Sequence, residues 1–192
     1  SFDGYQAGAN IAEWLTENYK DYLPDAELAD IGFMTINFSV ATEFNVRAQG
    51  AQDQYKSLNP ELADNIFDVD LLDSGFSVDA GYDKAAATLS ANSDIKYWFI
   101  FGVAEDFAVG AARAVESLGK VNQILVVSTG NDFCFDLWGS EEDTSCWVAT
   151  VPVYKTDLAV PMAAGIVALI DGRATNETLW QERRADNDIA TQ

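Results

Sequence analysis

Tyr97-Trp98-Phe99-Ile100-Phe101 is a run of five apolar residues, followed by Gly102 and then by Ala108-Val109-Gly110-Ala111. A short unbroken apolar run reads as a strand buried on both faces, because a half-exposed strand would alternate apolar and polar residues. Phe107, Ala111, Ala114, Val115 and Leu118 then recur at helical spacing until Gly119. A doubly buried strand running into an amphipathic helix is half of a parallel β-α-β unit.

The same unit repeats on either side. Upstream, a helix spans residues 5–20 with Asp3 as its N-cap, and Ile31 to Ile36 reads as a strand. A helix follows with Phe44, Ala48, Ala51, Tyr55 and Leu58 in register, ended by Asn59-Pro60. Ile66 to Leu72 is a second strand, and Tyr82, Ala85, Ala86 and Leu89 mark a helix. Downstream, Ile124 to Val127 and Trp147 to Val151 are further strands. Leu158, Met162, Ile166 and Leu169 stripe a last helix that ends near Gly172, and residues 173–192 read as a polar tail. The expected fold class is α/β: a parallel sheet of about five strands with helices on both faces, in a single lobe over residues 1–192. In such sheets ligands sit beyond the carboxyl ends of the strands.

Composition removes several function classes. The 192 residues carry a net charge of −20, against the basic footprint that nucleic-acid binding requires. There is no histidine, so no Ser-His-Asp triad can be built and the commonest metal ligand is absent. No phosphate-binding glycine loop and no nucleophile elbow follows a strand. Asp68, Asp70 and Asp73 lack calcium-loop spacing, and Asn37-Phe38-Ser39 and Asn176-Glu177-Thr178 are glycosylation triplets of a kind that arises by chance. The reading is a binder with no catalytic residues, no metal and no cofactor. No apolar stretch is long enough for a membrane span, and no basic segment followed by an apolar run marks a signal peptide.

The two cysteines, Cys134 and Cys146, flank one short polar excursion. A disulfide between them is expected; it would restrain the unfolded chain by roughly 2–3 kcal/mol and place the protein in an oxidising compartment. Two separate thiols are the alternative.

The strand ends carry polar and aromatic groups. Asn37, Ser39, Thr42 and Arg47 follow the first strand, and Phe76 and Tyr82 the second. Glu105 and Asp106 follow the third, Thr129, Asn131 and Asp132 the fourth, and Tyr154 the fifth. Amide, guanidinium and carboxylate groups hydrogen-bond hydroxyls, and aromatic faces cover the C–H faces of a ring, so together they suit a neutral polyol.

Four segments, in this order and spacing, carry a resemblance over roughly residues 3–172. They are Asp3-Gly4-Tyr5-Gln6-Ala7-Gly8, Arg47-Ala48-Gln49-Gly50, Ala108-Val109-Gly110-Ala111 and Val148-Ala149-Thr150-Val151. The chain resembles the C-terminal lobe of the type I periplasmic sugar-binding proteins, the ribose-, arabinose- and galactose-binding group, to which the lac-repressor-type effector domains are related. That family clamps a sugar between two hinged lobes and delivers it to the membrane permease of an ABC transporter. The resemblance implies an extracytoplasmic protein, a sugar or polyol-like ligand, and an N-terminal lobe preceding Ser1. It implies ligand contacts from Arg47, from Phe76, from Asn131 after a one-residue shift, and from Tyr154, with Val153 the alternative. One departure stands out. The family's usual Asn or Asp falls at Ala104, so either Glu105 substitutes for it or the ligand lacks the matching hydroxyl. The helix at 156–171 would pack on the other lobe; without it, the helix is expected to fold onto this lobe or to bury itself in a homodimer. The alternative function is the effector lobe of a lac-repressor-type transcription regulator.

Overall fold

The computed structural model describes residues 2–142, 145–179 and 190–191. Helix α1 (Gly4–Tyr22) starts where the Asp3 side chain accepts a hydrogen bond from the Gln6 N–H. Then come β1 (Ile31–Asn37), α2 (Thr42–Leu58), β2 (Ile66–Asp70), α3 (Val78–Ala91), β3 (Tyr97–Gly102) and α4 (Glu105–Ser117). The chain continues through β4 (Ile124–Thr129), a short α5 (Cys134–Leu137), β5 (Trp147–Val151), α6 (Lys155–Ile170) and β6 (Ala190–Thr191). All five expected strands are present. The turn of helix at α5 and the two-residue β6 were not foreseen.

The strand order is β2-β1-β3-β4-β5-β6. The first five run parallel, and β6 closes the edge beyond β5 in the antiparallel sense. Every residue of β1, β3, β4 and β5 is buried, as continuous apolar runs require. Strand β2 lies at the edge and is only half-buried. From β1 the chain winds outward to β2, then returns past β1 to β3. The winding therefore reverses between β1 and β3, and a crevice opens beyond their carboxyl ends.

The helices pack in two pairs, α1 with α2 and α3 with α4. Each crossing is made by glycine against backbone. A Cβ at Gly8 would overlap the carbonyl oxygen of Arg47, and one at Gly50 would overlap that of Tyr5. Gly110 stands in the same relation to the Val78 carbonyl. The α1–α2 crossing thus fixes the stretch of α2 that carries Arg47.

Cys134 and Cys146 are both buried thiols, which corrects the expected disulfide. The sulfurs address different elements. Cys134 Sγ lies 3.9 Å from the Gly130 carbonyl oxygen, and Cys146 Sγ lies 3.9 Å from the Ala112 carbonyl oxygen on α4. Flanking the same excursion does not aim two Cβ–Sγ bonds at each other. Burial, with the Glu105 carboxylate nearby, pushes the Cys134 thiol well above its ordinary pKa. We expect the folded chain to react slowly with a thiol reagent, and two thiols per chain to titrate in denaturant without reductant. Finding no thiols in denaturant would restore the disulfide.

Helix α6 does not turn its apolar residues onto the sheet. Met162 is 58% exposed, Ile166 56% and Ile170 78%. The side chain of Leu158 lies outside the described residues, as do residues 180–189 of the expected tail. Among the described residues, no helix is long and apolar enough to cross a membrane.

Candidate functional site

Arg47 stands at the carboxyl ends of β3 and β4. It projects from α2, and its Nη1 donates to the Val103 carbonyl oxygen (2.9 Å), just past β3, and to Thr129 Oγ1 (2.9 Å), the last residue of β4. Thr129 is buried and donates its own hydroxyl hydrogen to the same Val103 oxygen at 2.6 Å. One side chain from a helix thus ties together the ends of two adjacent strands. The guanidinium also lies 5.0 Å from the ring centroid of Phe2 and 4.9 Å from that of Phe44. Cation–π contact on partly desolvated rings holds its plane. Burial lowers the Arg47 pKa from its usual value to about 10, with the Glu43 charge acting in the opposite sense, so the group is cationic at neutral pH.

The aromatic surface continues from there. Phe44 stacks on Phe76 at 5.4 Å, and Phe76 meets Phe38 at 5.7 Å and Phe107 at 4.7 Å. Phe76 remains 44% exposed, an unusual amount for a ring with three aromatic neighbours, and so presents apolar surface to solvent. Asp70 sets this up. It accepts hydrogen bonds from the Ser39 N–H and hydroxyl and from the Leu72 N–H, joining the turn after β1 to the turn after β2. Desolvation raises the Asp70 pKa, but these bonds together outweigh it and hold the carboxyl below its ordinary value.

The far side of the crevice is the loop after β4. Gly130 adopts φ +122°, and a Cβ there would lie 2.8 Å from Glu105 Cγ, so both backbone and space demand glycine. Glu105 is 5% exposed and turned inward. Its carboxylate accepts the N–H groups of Asp132 (2.5 Å), Phe133 (3.1 Å) and Cys134 (2.9 Å). It braces the loop rather than facing the crevice. Of the two alternatives opened by Ala104, this geometry favours an unmatched ligand hydroxyl. Asn131 Oδ1 accepts the Val153 N–H at 3.2 Å, and Lys155 pairs with Asp132 at 2.7 Å. The loop is thereby zipped to the segment that leads from β5 into α6, where Tyr154 is 46% exposed.

The structure therefore joins Arg47 and Phe76 through Phe44, and places Asn131 beside the segment carrying Tyr154. Sequence reading missed Phe44, Phe2 and Phe38 as crevice residues. Phe44 lies one helical turn before Arg47, which was the available signal, but its helical register was assigned to the core. Among the described residues, no three side chains of His, Cys, Asp or Glu gather as a metal site would require.

No protein-family model and no curated protein sequence matches the chain. Solved structures do match by shape. A sugar transporter from Clostridium phytofermentans is 18% identical with a TM-score of 0.68, covering 100% of this chain and 60% of its own. A glucose-galactose binding protein from Geobacillus stearothermophilus is 16% identical with a TM-score of 0.72, over 100% and 60%. This chain has an α/β fold like that of part of these periplasmic-binding-protein structures. The periplasmic binding component of an arabinose ABC transporter from Shewanella sp. ANA-3, bound to L-arabinofuranose, is 18% identical with a TM-score of 0.72, over 99% and 57%. The chain thus spans about 60% of the length of the periplasmic-binding-protein structures it resembles. Those neighbours are binding and transport proteins.

Proposed function

We propose that the crevice captures a sugar or a similar small polar solute, as one lobe of an extracytoplasmic solute-binding protein that serves an ABC permease. The observation that carries this reading is Arg47, pinned by Nη1 to the carboxyl ends of β3 and β4 and flanked by two rings. The Nη2 group of Arg47, uncommitted among the described residues, can hydrogen-bond a ligand oxygen, and the exposed face of Phe76 can cover a ring's C–H groups. Non-covalent capture is the whole task. Closure would be a hinge motion of a second lobe over this one, through the segment Val151–Lys155. The exposed apolar residues of α6 suit burial against that second lobe. Half a clamp binds weakly, so affinity in the millimolar range is expected of this chain alone.

Saturation-transfer NMR tests this reading, because it detects weak ligands. With arabinose, galactose and allose presented in turn, at least one sugar should receive saturation at its C–H protons. Phe76→Ala should reduce that transfer several-fold. Transfer unchanged by Phe76→Ala would remove this rim as the binding site.

A second reading gains from the thiols. Without a disulfide, the cysteines no longer argue for an oxidising compartment, and the effector lobe of a lac-repressor-type regulator is the rival. The net charge of −20 weighs against an assembly that works on DNA.

A further inference from the structure

Helix α6 meets its own lobe along one narrow side. Pro161 and Gly165, one helical turn apart, are buried, and Ala168 is half-buried. On the opposite side Val160, Met162, Ile166, Val167 and Ile170 are exposed, with exposed Ala159, Ala163 and Ala164 among them. From Leu158 to Ile170 the sequence has no charged residue and no hydrogen-bonding side chain, in a chain of 31 acidic and 11 basic residues. The exposed side offers on the order of 700 Å² of apolar surface. That exceeds the roughly 300–600 Å² of the largest patch on an ordinary monomer. It comes close to the about 800 Å² that each partner gives to a standard interface.

The charges at the two ends of the helix say what fits there. Lys155 opens α6 and Asp171 follows it, with side chains 79% and 51% exposed. Two α6 helices running antiparallel set Lys155 of each against Asp171 of the other. Each residue has a partner within its own chain, Asp132 for Lys155 and Arg173 for Asp171, so the contact extends two ion pairs into one row of alternating sign. Exposed pairs add little affinity but fix direction and register. In this register Ala163, midway between Lys155 and Asp171, lies on the two-fold axis, where its small side chain lets the helices approach. Ala159 then meets Val167, and Val160 meets Ile166, all from the exposed side. A patch that pairs with its own copy in this reciprocal way closes a two-fold interface.

We propose that this chain forms a two-fold dimer through α6, with the helices antiparallel and crossing at Ala163. A second lobe would occupy the same face, so the two occupants exclude each other. Two copies of net charge −20 repel, and the dimer should therefore tighten as salt rises, the reverse of an association held by ion pairs.

Light scattering on the 192-residue chain at high micromolar concentration should give twice the single-chain mass of 20.9 kDa. Ile166→Glu buries a charge in the contact and should weaken the dimer at least about tenfold. Ile166 is exposed in the single chain, so the circular-dichroism spectrum should not change. Ala163→Cys should cross-link two chains under a mild oxidant, whereas Ser117→Cys, exposed at the end of α4, should not. A monomer at that concentration would overturn the dimer. Fast hydrogen exchange along α6 would then leave the face to a second lobe, and slow exchange would show it covered from within the chain. Growth beyond two copies, or a dimer unaffected by Ile166→Glu and not cross-linked through Ala163→Cys, would overturn it as well.

Discussion

Gly8→Ala is expected to cost the fold about 3 kcal/mol or more, enough to unfold a large fraction of a marginally stable chain. The added methyl would lie 2.0 Å from the Arg47 carbonyl oxygen and 2.9 Å from the Ala51 backbone nitrogen. Neither neighbour is a flexible side-chain tip that can swing away. Helices α1 and α2 would have to separate, and α2 carries Arg47 and Phe44, so the crevice would lose its geometry along with the stability. Gly119→Ala is the control. Gly119 has φ +67° with no atom near its absent side chain, so alanine there meets backbone strain alone and should cost about 1 kcal/mol. Urea denaturation followed by circular dichroism separates the two. Equal losses at both positions would show that the α1–α2 crossing is looser than described.

Glu105→Ala is expected to have the second largest effect. It removes the acceptor of three backbone N–H groups, at Asp132, Phe133 and Cys134, and opens a hole beneath the loop. An orphaned buried donor costs about 1–3 kcal/mol, and water can reach some of these, so a total near 3 kcal/mol is reasonable. Glu105→Gln keeps one acceptor oxygen and should lose less. The effect on the site is the more telling readout. Cys134 is fully buried while Glu105 holds its N–H. Once the loop is released, Cys134 should be labelled by a thiol reagent at least about tenfold faster under native conditions, because local opening then controls access. Asn131, tied to Val153 at 3.2 Å, should shift with it. Unchanged labelling of Cys134 would mean that other contacts hold the loop.

The strands and main helices were legible because continuous apolar runs and 3.6-residue stripes are one-dimensional signals. The glycine-to-carbonyl contacts at Gly8 and Gly50 were not, because a close approach between backbones leaves no pattern beyond the glycines themselves. Helix α5 has four residues and β6 two, too few for any period to register. The crevice was legible to the extent that topology places strand ends together, which brought Arg47 and Phe76 to one edge. Direction was not legible. Glu105 lies on that edge yet turns inward, because its partners are backbone N–H groups that every sequence possesses. Cys134 and Cys146 flank one excursion yet point at different carbonyls, because Sγ direction depends on local φ and χ1 and not on separation along the chain.

One measurement bears most directly on the central claim that the rim formed by the carboxyl ends of β1 to β5 is where the solute binds. Backbone amide and arginine Nε–H resonances of the isotope-labelled chain can be followed as a binding sugar is added. The account predicts shifts concentrated at Arg47, Phe76, Thr129, Asn131 and Tyr154, with residues at the amino ends of the strands, such as Ile31 and Ile124, unmoved. Shifts clustered at that opposite edge, or along α6 alone, would contradict it.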